Sequence, residues 1–198
     1  MYIYAFGSIC RGEIDFYSDV DLLAISENKF DLSALDPNKF SLYSETRITE
    51  YWKLGNPFAW HLYKESKLVF SKIDSDFIKS LGTPNAYING LSDLYKFRSI
   101  FLDSVEQINK TKDSFIFDIS TIFLAIRNFS TCYSLHQGKM NFHRNSALEL
   151  NEKSIPIAFE NYKLLESARL LATRGVGEFP SEHESSRLIS CFNEIDEW

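Results

Sequence analysis

Apolar and polar positions alternate from Met1 to Phe6, which predicts a strand carrying Tyr2, Ile3 and Tyr4 that stops at Gly7-Ser8. A second strand is expected over Asp19 to Ile25, its apolar residues facing a core. After a polar stretch from Glu27 to Asn38, read as a loop around Pro37, alternation returns over Lys39 to Glu45. There Phe40 and Leu42 share one face, and Ser41, Tyr43 and Glu45 share the other. Helical spacing follows over Arg47 to Leu54 and Pro57 to Glu65, interrupted by Gly55-Asn56-Pro57. Leu68-Val69-Phe70 is a short apolar run suited to closing a small sheet.

From Ser80 to Asn89 the chain concentrates Gly, Pro and Asn, and beyond it only helical patterns occur. Two domains are therefore expected, residues 1–80 and 81–198. Leu94, Phe97, Phe101, Val105 and Ile108 form one amphipathic stripe. Ser114 to Leu135 is apolar nearly all round, the pattern of a buried central helix in a bundle. Tyr162 to Ala172 and Arg187 to Ile195 predict two more helices, separated by a loop from Gly175 to Pro180. The fold class is α+β: a small sheet with flanking helices, followed by an all-α bundle.

Composition narrows the partners. The 198 residues are 44% apolar and 15% aromatic, with 17 Phe and 10 Tyr, so the chain carries enough apolar surface for a core and does not read as disordered. It has no run of about eighteen apolar residues and begins directly with the strand, which suits a soluble protein of the cytoplasm. A net charge of -6 argues against nucleic acid as the main partner and suits a cationic small molecule or a basic protein. The 3 cysteines, Cys10, Cys132 and Cys191, lack metal-site spacing and read as inert thiols.

The candidate chemistry lies between Tyr4 and Ile25. A glycine at position 7 lets the backbone approach a ligand, and Ser8 adds a hydroxyl and an amide to the freed N–H groups of a short turn, a means of holding phosphate oxygens. Asp19 and Asp21 stand two apart on the expected strand and project to one face. Side by side, two carboxylates repel unless a cation lies between them, and Mg2+ accepts such ligands while holding substrate phosphates. The alternative is that Ser18-Asp19 belongs to a solvated turn that Asp21 caps.

Phe6-Gly7-Ser8 followed after ten residues by Asp19-Val20-Asp21-Leu22 resembles the signature of the DNA polymerase beta-type nucleotidyltransferases. Arg11-Gly12-Glu13 and Ser18 to Leu23 most resemble the small bacterial members, including aminoglycoside nucleotidyltransferases and antitoxin-type minimal ones. The resemblance implies a small mixed sheet and a Mg2+-dependent transfer of an NMP from an NTP, ATP foremost, to a hydroxyl on a small molecule or protein. It implies that Asp19 and Asp21 bind metal, that Gly7 and Ser8 hold phosphates, and that the helical domain forms the other wall of the cleft. Arg11 reads either as an added phosphate-binding charge or as a surface residue.

In that family a third carboxylate lies on the next strand and often serves as general base. Here the middle of that strand holds Ser41 and Tyr43, and the acid on that face is Glu45. Glu45 reads either as the displaced third ligand or as the polar start of the following helix. With two carboxylates only, a nucleotide-binding or antitoxin-type protein of weak activity becomes the second functional reading. His61, between Trp60 and Leu62, reads as a packed histidine before a catalytic one.

Arg127-Asn128, Leu135 to Lys139 and Phe142 to Ala147 resemble the helical domain of the same proteins. Arg127 requires an anion, either an acid of the bundle or a phosphate, and Lys139, His143 and Arg144 read as loop charges or as additions to the cleft. Arg127 and His136 fall nine positions apart, on opposite sides of a helix, which disfavours a ribonuclease of the HEPN kind. The family's usual helix before the first strand has no counterpart in this sequence, so a homodimer partner or the C-terminal helix is expected to cover that sheet face.

Overall fold

The computed structural model describes residues 1–13 and 20–198. They divide into two compact units, one of residues 1–88 and 138–143, the other of residues 89–137 and 144–198.

The first unit is built on a mixed four-stranded sheet of order β3-β2-β1-β4. In β1 (Tyr2–Phe6) alternate residues are buried, so Tyr2, Tyr4 and Phe6 face the core. β2 (Asp21–Ile25) runs antiparallel to β1, pairing Phe6 with Asp21 and Tyr4 with Leu23. β3 (Phe40–Tyr43) runs parallel to β2, pairing Leu23 with Ser41 and Ile25 with Tyr43. β4 (Ser66–Ser71) is the edge strand, antiparallel to β1 with a bulge between Ile3 and Tyr4.

One turn of helix, α1 (Ser8–Arg11), follows β1. α2 (Lys29–Ser33) lies inside the stretch expected to be loop; the Asn28 side chain accepts the Phe30 amide at 2.9 Å and starts it. Its only large apolar side chain in the first turn, Phe30, is 85% exposed, so no buried stripe announced it in the sequence. α3 (Glu45–Lys53) is capped by Ser44, and α4 (Pro57–Glu65) by Asn56 with Pro57 in its first turn. Ile48 and Trp52 of α3 and Ala59 and Leu62 of α4 pack with Tyr2, Tyr4, Phe6, Leu23 and Ile25 into one core. α5 (Phe77–Ser80) adds Ile78 to it, anchored by Tyr4, whose hydroxyl accepts from the Ile78 amide and donates to Asp76, both at 2.9 Å.

The opposite sheet face carries a cross-strand row of Phe70, Ile3, Ala24 and Leu42. Val69 and Phe70 on β4 are exposed.

In the second unit α7 (Phe115–His136) packs against both α6 (Gly90–Lys110) and α8 (Phe159–Arg174). Length and composition alone would let α7 cross a membrane, but Ile119, Ile122, Phe123 and Ile126 are the centre of the unit's core, as its all-round apolar pattern predicts. The stretch Arg187 to Ile195, expected as one helix, is divided at Cys191 between α9 (Glu182–Ser190) and α10 (Phe192–Glu197). The Cys191 amide closes the end of α9 by bonding the Leu188 carbonyl at 3.0 Å. Burial pushes the phenol of Tyr162 up; the charge of Arg127 opposes this, while Glu166 and Glu149 reinforce it. Arg127, Glu166 and Glu149 thus all lie within electrostatic reach of this phenol.

Candidate active site

The end of β1 and the start of β2 lie side by side because Phe6 pairs with Asp21. Gly7, next in the chain, has φ +75° and ψ -141°, a conformation that side-chain-bearing residues rarely adopt. A Cβ on Gly7 would stand 3.1 Å from Asp21 Oδ2 and 3.9 Å from His61 Nε2. The absence of that atom lets the Asp21 carboxylate, whose oxygens suit a hard divalent cation, lie close against the Gly7 backbone. Ser8 follows Gly7 and begins α1, so the structure brings Gly7, Ser8 and Asp21 together. Asp19 lies outside the described residues.

Glu45 is placed elsewhere. β3 is parallel to β2, so its end at Tyr43 lies beside Ile25, four residues along β2 from Asp21 or about 13 Å at the rise of a strand. Glu45 comes after that end, as the first residue of α3 behind the Ser44 cap. Ser41 and Tyr43 share Asp21's face on β3, and the nearer is Ser41, paired with Leu23 two positions along from Asp21. The carboxylate expected on this strand is therefore replaced near Asp21 by an exposed serine.

Arg11 is engaged within the protein. Its Nε donates to Glu13 Oε2 at 2.8 Å, and its NH1 pairs with Glu65 Oε2. Glu65 is 4% exposed, and His61 Nε2 stands 3.1 Å from the same Oε2. Burial alone would raise the Glu65 carboxyl, but His61 and Arg11 outweigh it and hold it below the usual carboxylate range. Desolvation works against the Arg11 charge too, and the two glutamates more than restore it. His61 is packed rather than free-standing: its ring stacks on Phe142 at 4.8 Å and meets Phe6 edge-on at 5.8 Å. His143 Nδ1 lies 3.0 Å from Glu13 Oε1. Cys10 is half-buried, its thiol pushed up by burial and donating to the Ala5 carbonyl at 3.3 Å, the behaviour of an inert thiol.

Sequence reasoning missed Glu65, Glu13 and the partnership of His61 and His143 with them. One signal was present for Glu65: it continues the three-residue steps of Ala59 and Leu62, an acid on the buried stripe of α4. An acid there requires a cation brought from elsewhere in the fold.

The model of the family described as a nucleotidyltransferase domain matches residues 2–150, which includes the strand pair, the Gly-Ser turn and α4. Comparison with curated proteins finds none that matches. With a Gly-Ser turn set against Asp21 and a match across most of its length, the chain belongs to the nucleotidyltransferase domain family, of the DNA polymerase beta type.

Proposed function

We propose that the protein is a Mg2+-dependent nucleotidyltransferase that moves an NMP from an NTP, with ATP as donor, to a hydroxyl of a small molecule or a protein. The observation that carries the reading is the close approach of the Gly7 backbone to the Asp21 carboxylate, beside the amides of Ser8 and Ile9, which precede the first intrahelical acceptor of α1. Asp19 and Asp21 hold the metal; Gly7 and Ser8 receive the β- and γ-phosphates. Mg2+ held there would supply positive charge to the triphosphate and to the departing pyrophosphate. The acceptor oxygen attacks the α-phosphorus, its proton passes to solvent water, and the bond to pyrophosphate breaks. Arg11 acts from behind, holding α1 through Glu65 and Glu13. The acidic chain, at net charge -6, favours a cationic acceptor or a basic protein surface.

Ser41 on the Asp21 face favours a second reading, a nucleotide-binding or antitoxin-type protein with weak turnover. Labelled NTP incubated with Mg2+ and a panel of aminoglycosides and lysate proteins separates the two: label on an acceptor supports the enzyme, and binding without incorporation supports the binder. Calorimetry tests what both share. Mg-ATP binding lost in Asp21→Ala is expected, and unchanged affinity in that variant overturns both.

A further inference from the structure

The Gly7–Arg11 turn is gripped at both ends by one residue. The Glu65 carbonyl accepts the Gly7 amide at 3.0 Å, and the Glu65 carboxylate pairs with Arg11, the last residue of α1. Between these two anchors lies Ser8. A buried ion pair contributes little net stability over an apolar replacement, because desolvating both charges offsets most of their attraction; what it adds is one defined arrangement. The arrangement fixed here is the position of the turn relative to the sheet that carries Asp21.

The grip is extended by a ring of contacts. Arg11 bonds Glu13, Glu13 meets His143, and the adjacent Phe142 stacks on His61, which returns to Glu65. Lys64, next to Glu65, also bonds the Met140 carbonyl. Residues 138–143, distant in sequence from the Gly-Ser motif, thus belong to the support of the turn.

We infer that Glu65 is a positioning residue for the nucleotide site, setting the Gly7-Ser8 turn through Arg11, and that the Glu13–His143 contact completes this support. The inference rests on the nucleotidyltransferase reading above. It assigns Arg11 to the scaffold of the site and explains an acid on the buried face of α4.

The test is Mg-ATP titration by calorimetry, with thermal unfolding of each variant as a control. Glu65→Gln keeps the side-chain size and the carbonyl bond to Gly7 but removes the charge; its Mg-ATP affinity is expected to fall about 10-fold or more. Arg11→Gln is expected to fall similarly, and Arg11→Lys to recover part of that loss. Glu13→Gln and His143→Ala, at the half-exposed end of the ring, are expected to weaken binding less, with the unfolding midpoint unchanged. If Glu65→Gln does not fold, these two and the Arg11 pair decide the matter. Wild-type affinity in the folded variants overturns the inference alone. A wild-type protein that takes up no Mg-ATP overturns the nucleotide reading and the inference together.

Discussion

Asp21 Oδ2 stands 3.1 Å from where the Cβ of any other residue at position 7 would be, so the carboxylate and Gly7 are fitted to each other. Gly7→Ala must also bear a φ near +75°. The variant is expected to lose about 1–3 kcal/mol of stability from backbone strain and to lose Mg-ATP binding as the new methyl displaces the Asp21 carboxylate. Urea unfolding and calorimetry read the two effects separately, and wild-type affinity in a destabilised protein would show that the Gly7–Asp21 fit does not serve binding.

Ser41 supplies a second prediction. Its partner Leu23 places it on Asp21's side of the sheet, one pleat along, and it is exposed. Ser41→Asp is expected to tighten metal-dependent nucleotide binding and to raise any transfer rate, because it restores oxygen donors within reach of Asp21. Glu45→Ala is expected to cost about 0.3–1 kcal/mol by removing an acid from the first turn of α3, with Mg-ATP affinity unchanged. A large affinity loss in Glu45→Ala would show that the start of α3 reaches the nucleotide.

Tyr4 holds the sheet to α5. Its hydroxyl, 1% exposed with its side chain, satisfies the Ile78 amide and Asp76. Tyr4→Phe keeps the ring in the core and strands the amide, a change expected to cost about 1–3 kcal/mol in chemical denaturation. A neutral outcome would mean that water replaces the hydroxyl.

The acid range probes Glu65. Its carboxyl is held below the ordinary value, so the folded state binds the proton less readily than the unfolded chain. Its contribution to stability is therefore complete above the ordinary carboxylate range and disappears as pH falls through the lowered value. Glu65→Gln removes the charge that Arg11 and His61 hold, so it should be less stable than wild type at neutral pH, and the gap should narrow in acid. Denaturation curves of the two proteins across pH measure it. A gap that stays constant would mean that Glu65 does not titrate with folding.

Much of the fold was legible because it rests on local pattern. Pro57 to Glu65 is helical as its spacing predicts, the strand before Gly7 ends at Phe6, and the apolar run of Leu68 to Phe70 lies within the edge strand. What was hidden depends on direction and distance. That β3 runs parallel to β2, and so carries Glu45 away from Asp21, follows from the crossover through α2, a helix without an apolar stripe. Arg11 and Glu65 are 54 positions apart, and Glu13 and His143 farther still; no periodicity relates such pairs. The motif named Gly7, Ser8 and Asp21, whereas the residues that brace them are visible only in three dimensions.

The chain passes between its two units three times, because residues 138–143 fold with the first while their neighbours on both sides fold with the second. A gene fragment ending at residue 88 would therefore encode the sheet and its motif but not Phe142 or His143. This protein is not a cassette that can be trimmed or transplanted at its domain boundary, and any hybrid made with a relative must take the sheet and the distant six-residue segment from the same parent.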